Sequence, residues 1–300
     1  MDDQNKNLIL ATVLSFLVIL VWFLLFPPPD SPTAPQTPAT TEATEGVTAP
    51  TAAAPTVATP TVSGATQAPI LGATEPMNRV AALDKTERVE IRTKRLTGSL
   101  SLVGGRVDDL NLNDYFVTVD KGSPNVTLLS PAGVPNAYYA LYGWSPAEGL
   151  APDAVPGPNT PWRVESGSVL TETTPVTLVW DNGAGLIFRR TVAVDENFMF
   201  TTTQSVENTG ATPVRLAPYG IIARHGMPPD LMNFYILHEG VISVADGQLN
   251  ELKYSKIMDL PVDPAEGAAA QRVDVSRNGW IGFTDHYWMT TLVPPPDQPF

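Results

Sequence analysis

The side chains best suited to acid–base chemistry in this 300-residue sequence are three histidines and the carboxylates beside them. His238–Glu239 and Asp285–His286 each set an imidazole next to a carboxylate, groups that titrate on either side of neutral pH and can pass a proton between them. His225, His238 and His286 lack the i, i+4 spacing that puts two metal ligands on one helix face. With no cysteine in the chain there is also no thiolate nucleophile, no disulfide and no Cys-bound metal. The histidines are therefore read as makers of structural hydrogen bonds at strand ends, with an acid–base site as the alternative. Catalytic, cofactor and metal residues are expected to be none, and the protein is expected not to be an enzyme.

Three further features invite a functional reading. Gly104–Gly105 belongs to no phosphate-cradling glycine string and precedes no helix, so it reads as a turn. Asn125–Val126–Thr127 fits a glycosylation acceptor, but the signal is too short to build on. Trp144, Trp162, Trp180, Trp280, Tyr287 and Trp288 are able to line a carbohydrate or peptide groove, whereas in β sandwiches large aromatics usually fill the core, which is the reading adopted. A formal charge of −13 and the absence of any basic stripe exclude non-specific nucleic-acid binding, which needs clustered Lys and Arg.

The elements that would position these groups divide the chain in four. Residues 1–7 form a short leader. Residues 8–26, LILATVLSFLVILVWFLLF, are free of charge, and as a helix rising about 1.5 Å per residue they span about 28 Å, enough to cross a bilayer. Pro27–Pro28–Pro29 follows in place of a small-residue cleavage site, so the segment reads as a retained anchor. Lys6 precedes the span and the next basic residue is Arg79, which predicts a cytoplasmic N-terminus. Residues 27–77 are mostly Pro, Thr and Ala, with too little apolar area to offset the entropy of ordering, and read as a disordered linker.

Residues 78–300 change texture to short apolar runs punctuated by Gly, Asn, Asp and Pro, the pattern of a mainly β domain. Strands are predicted at Val89–Thr93, Leu96–Val103, Val107–Leu112, Val176–Trp180, Leu186–Val194, Phe198–Val206, Val214–Ile222 and Val241–Val244. Asp181–Asn182–Gly183 marks the clearest hairpin, and antiparallel meandering is expected, including around Asn208–Thr209–Gly210. The proline-rich stretches Pro152–Pro161 and Pro261–Pro264 are expected to be surface loops.

Seven strings in order resemble the N-terminal half of the YidC-type membrane protein insertases. They are NKNLILATVLSFLVILVW, LTGSLSLVGGRVDDLNLNDY, YYALYGW, VTLVWDNGAGLIFRRTVAVDENFMF, LAPYGIIARHG, FYILHEGVISV and GWIGFTDHYWMTTLVPPP. The resemblance implies a first transmembrane helix followed by a periplasmic β-supersandwich similar to sugar mutarotases, in a protein of the bacterial inner membrane. It implies a role in inserting and folding nascent membrane proteins, alone or with the Sec translocon and its accessory subunits, through a groove among five later transmembrane helices. Those helices lie beyond Phe300, and the family's domain continues past TDHYWMTTLVP, so the chain reads as truncated and less stable than a completed domain. The alternative reading is an anchored sugar-binding or mutarotase-like module.

Overall fold

Alternation of buried and exposed residues builds this domain strand by strand. The structure, a computed structural model, describes residues 78–147, 150–232 and 237–300; the expected leader, anchor and linker lie outside the described residues. No helix among the described residues is long and apolar enough to cross a membrane. The domain is mainly β, as the sequence predicts.

A first sheet opens as a meander of β1 (Arg88–Arg92), β2 (Leu96–Ser101) and β3 (Arg106–Phe116). It takes β4 (Asn125–Leu129) along the outer half of β3 and β5 (Tyr138–Pro146) along the inner half. A second sheet holds β6 (Arg163–Ser166), β8 (Val176–Asp181), β9 (Leu186–Val194) and β10 (Phe200–Asn208), while the short β7 (Val169–Leu170) pairs in parallel with β1 of the first sheet. β11 (Leu216–Arg224) completes the first sheet at β5. A third sheet is built from β12 (Gly240–Ala245), β13 (Gln248–Lys253), β16 (Trp280–Thr284) and β17 (Met289–Leu292). A small hairpin pairs β14 (Val262–Asp263) with β15 (Ala268–Ala269), and two short helices, α1 (Arg79–Leu83) and α2 (Tyr254–Ile257), complete the set.

The first two sheets face each other across one core. β9 alternates buried and half-buried residues along all nine positions, sending Leu186, Phe188, Val192 and Val194 inward to meet Ile91, Leu96, Leu100 and Leu110. Burying such side chains contributes about 1.5–3 kcal/mol each. β3 instead buries five consecutive residues, Arg106–Leu110. A bulge between Ser99 and Leu100 in its pairing turns Asp108 and Asp109 to the outer face of the sheet, where Asp108 meets Arg88 and Arg106 and Asp109 meets Arg79 of α1.

Two expectations are corrected. β10 and β11 do not form a hairpin around Asn208–Thr209–Gly210: β10 pairs with β9 in the second sheet and β11 with β5 in the first. The segment 209–215 is long enough to cross the sandwich, and β5 offers β11 a nine-residue antiparallel register. The Pro152–Pro161 stretch is not simply surface loop either, because Val155 and Pro156 are buried and the stretch is bonded to the β2–β3 turn. Gly104 donates to the Thr160 carbonyl and Trp162 to that of Leu102, and a proline has no N–H to orphan when buried. Pro261–Pro264 contains β14, and Val262 is exposed there as a surface loop predicts.

One cation spans the two sheets. Arg190 sits on the inward parity of β9, between Phe188 and Val192, and is almost fully buried. Its guanidinium donates to the carbonyls of Gly104 and Gly105 at 3.0 Å, to Tyr142 of β5 at 2.5 Å and to Gln204 of β10 at 3.3 Å, and lies 4.6 Å over the Trp162 ring. Burial pulls its pKa down to about 10, still far above neutrality, so the group remains charged and is held by carbonyl dipoles and an aromatic face. Gly105 has φ +60°, and a Cβ there would fall 2.4 Å from the Arg190 Nη1, so the turn must be glycine.

Replacing Arg190 with Met keeps apolar volume but strands three buried carbonyls, each costing about 1–3 kcal/mol, so the unfolding free energy should fall by about 3 kcal/mol or more. Lysine should not restore it, because a single ammonium cannot address the same fork of acceptors. An unchanged urea midpoint for Arg190→Met would show that the guanidinium is not what joins the sheets.

Candidate functional site

A cleft of about 340 Å³ opens beside the sandwich where the first sheet, the β9–β10 turn and β17 meet. Leu110 and Leu112 of β3, Leu129 of β4 and Ile222 of β11 contribute apolar walls; Phe198 and Met199 from the β9–β10 turn and Trp288 with β17 contribute others. Polar groups in the lining are the amide of Asn197 and hydroxyls of Tyr and Thr, with no histidine and no carboxylate. Such a surface can hold an apolar or extended partner, and its lining offers no imidazole or carboxylate to pass a proton near neutral pH.

Backbone strain holds one wall of the cleft. Phe198 adopts φ +69°, the left-handed region that a bulky residue enters only when its surroundings impose it. The Asp195 carboxylate imposes it by accepting from the amides of Asn197 and Met199, while the Arg95 guanidinium lies 4.7 Å over the Phe198 ring.

The wall formed by β17 depends on a second cation, half-buried and flanked by aromatic rings. Arg224, at the end of β11, pairs with Asp285 at 2.7 Å and lies 4.5 Å over Tyr138 and 5.4 Å over Tyr254. The Tyr254 hydroxyl donates to the other Asp285 oxygen at 3.0 Å, and its ring stacks on Phe283. Burial pushes the Tyr254 phenol up, keeping it a proton donor; burial likewise raises Tyr138, whose hydroxyl bonds Thr290 of β17. Together these contacts fasten the third sheet to the first.

The structure distributes the histidines rather than gathering them. His225 bonds the Tyr139 hydroxyl at 3.2 Å, and His238 Nε2 bonds the Val241 carbonyl at 2.8 Å. The Glu239 carboxylate accepts from the Met232 amide. Asp285 is engaged by Arg224 and Tyr254, while His286 packs edge-on against Tyr287 with its Nδ1 buried and without a hydrogen-bond partner. No metal-capable group of three ligands exists among the described residues. Asn125 spends its side-chain amide on the carbonyls of Leu112, Asn113 and Tyr115, locking β4 onto β3.

The aromatics divide. Trp162 is buried, and Trp144, Trp180 and Trp288 pack partly buried against the core. Trp280 is half-buried. Tyr287 departs from the core reading, being 77% exposed, because the β16–β17 turn carries it outward while its neighbour Trp288 turns into the cleft. Sequence reasoning missed Arg190, Asp108 and Arg224 altogether.

Residues 88–300 match the family described as the YidC periplasmic domain. The chain is 54% identical over 296 residues to the membrane protein insertase YidC of Roseobacter denitrificans, covering 99% of this chain and 47% of that protein. It is 57% identical to the membrane protein insertase YidC of Dinoroseobacter shibae over 306 residues, covering all of this chain and 48% of the relative. Against the one from Cereibacter sphaeroides it is 53% identical over 300 residues, covering 45% of that protein. The chain thus spans about half the length of the curated relatives it matches.

Two measurements test this geometry. Burial raises the Asp108 carboxyl above its ordinary 3.8, with Arg88 and Arg106 pulling the other way. The native state therefore holds that proton more tightly, so the contribution to stability is full below the unfolded value and is lost as pH rises through the raised folded value. Asp108→Asn should flatten unfolding free energy against pH in the window just above 3.8; a profile that still falls as in the wild type would assign the proton elsewhere. Asp285→Ala should strip Arg224 of its anion and speed amide exchange in β16 and β17 at least tenfold, a loss of about 1.4 kcal/mol or more, while β8 and β9 keep their protection. Equal acceleration across all three sheets would deny the joint its local role.

Proposed function

The chain belongs to the YidC family, and from that premise we propose that it is the anchor and periplasmic domain of a bacterial membrane protein insertase. The observation that carries this is identity of 53–57% to membrane protein insertases along essentially the entire chain. In this reading Leu8–Phe26 spans the inner membrane with the N-terminus cytoplasmic, and residues 27–77 form a linker that lets the domain stand off the bilayer. The β domain of residues 78–300 is periplasmic and takes the supersandwich form of the mutarotase-like folds. Nascent inner-membrane proteins are the substrates of the whole protein, with the Sec translocon and its accessory subunits as partners.

The contribution of this portion is binding and placement. A cleft with apolar walls and no histidine or carboxylate in its lining accords with contact to a polypeptide or lipid better than with proton shuttling at a sugar's anomeric carbon. The lack of a His–carboxylate constellation in the cleft weighs against the sugar-module alternative, since fold likeness alone is a weak warrant for function.

Depletion of the protein in its own host, followed by pulse labelling of a small single-span inner-membrane protein, should leave that protein uninserted and open to protease from the cytoplasmic side. Insertion at the undepleted rate would overturn the insertase reading. Protease added to spheroplasts should degrade the 78–300 domain and spare residues 1–7; the reverse pattern would invert the topology.

A further inference from the structure

The β3–β4 hairpin runs past the body of the first sheet and ends in apolar side chains with nothing over them. Phe116 is 57% exposed, Val117 63% and Val119 fully, and Tyr115 just below them is 41% exposed. A soluble hairpin tip ordinarily carries polar residues. Asp120 and Lys121 are the only charged residues between Tyr115 and Pro124, and their charges cancel.

Four amides of this tip find partners within it. The Val117 amide donates to the Pro124 carbonyl at 3.0 Å and the Ser123 amide to that of Asp120 at 3.1 Å. The Ser123 hydroxyl accepts from the Thr118 amide at 2.8 Å, and the Thr118 hydroxyl accepts from the Asp120 amide at 3.3 Å. Removing water from such a turn leaves these donors satisfied, which is the condition for lowering a backbone into a less polar medium. At the base of the hairpin the pattern changes from aliphatic to amphipathic: Tyr115 meets Trp288 edge-on with 4.8 Å between ring centres, and Tyr287 stands exposed next to it. An aliphatic tip above a Tyr and Trp collar is the order in which side chains meet a bilayer from the water side.

We propose that the tip of the β3–β4 hairpin dips Phe116, Val117 and Val119 into the boundary between headgroups and acyl chains of a lipid bilayer. The inference rests on the reading that the chain is membrane-anchored, which keeps a bilayer within reach of the domain. The chain as a whole carries a formal charge of −13, and residues 78–300 share that excess of carboxylates, so the domain gains no net electrostatic attraction to anionic lipid; contact is driven by apolar area and is not weakened by salt.

The absence of cysteine makes single-site labelling unambiguous. The whole chain carrying Val119→Cys, labelled with a nitroxide and reconstituted into phosphatidylethanolamine–phosphatidylglycerol vesicles, is probed by collision with oxygen, which concentrates in hydrocarbon, and with a water-soluble nickel chelate. Parallel labels at Leu17→Cys, in the proposed anchor, and Thr173→Cys, on an exposed turn, calibrate lipid and water. The oxygen-to-nickel ratio at Val119 should exceed that at Thr173 severalfold, should not fall on raising salt, and should drop to the Thr173 level when Phe116→Asp is added. A water-like ratio at Val119 with a lipid-like ratio at Leu17 would overturn the hairpin contact and leave the anchor standing. A label at Val119 shielded from both reagents would mean that a protein surface covers the tip, which also overturns the proposal. A water-like label at Leu17 would sink the anchor reading, whatever Val119 reports.

Discussion

A buried positive charge with no carboxylate against it organises this domain. Arg190 replaces what would be a core hydrophobe on β9 and takes its acceptors from the β2–β3 turn, from β5 and from β10. A lone guanidinium in a core is tolerated only when several dipoles and a ring face converge on it, so each acceptor fixes the position of the element that carries it. The two-glycine turn is shaped by this demand, and the proline-rich stretch that ends at Trp162 closes over it, placing an indole beneath the charge. Registry between the sheets thereby follows from one side chain, which apolar packing alone would leave free to slide.

The same device recurs at the second joint with a different balance. Arg224 has a true counter-ion in Asp285, yet it too is flanked by aromatic faces, and a protonated tyrosine completes the carboxylate's hydrogen bonding. The cleft lies where these two joints leave room: its floor belongs to the first sheet, its turn wall to β9–β10 and its far wall to β17. Its shape depends on how the third sheet is fastened, although Arg224 and Asp285 are not among its lining residues.

The strands that alternate cleanly were legible in the sequence. Leu186–Val194 shows its pleat residue by residue, and Leu96–Val103 ends at Gly104 and Gly105, whose positive φ values favour glycine. Tyr138–Pro146 was not named as a strand, because YYALYGWSP mixes aromatics, a glycine and a proline with no polar beat. The exchange of partners after β10 was invisible, since local turn residues report a bend and not which sheet the next strand joins. Arg190 did leave a signal: it stands on the same parity as Phe188, Val192 and Val194, where a charged residue is out of place. The cleft left none, being assembled from side chains as distant in sequence as Leu96 and Leu292.

The eleven residues of β3 live in two settings. Arg106–Leu110 are clamped between the core and the Arg88–Asp108 ion pair, whereas Asp114–Phe116 stand in the open with only β4 beside them. A strand paired on both sides along its inner half is stiff, and at about 3.3 Å per residue it measures about 36 Å from end to end. One continuous strand thus joins the exposed hairpin end to Leu110 and Leu112, which form a wall of the cleft.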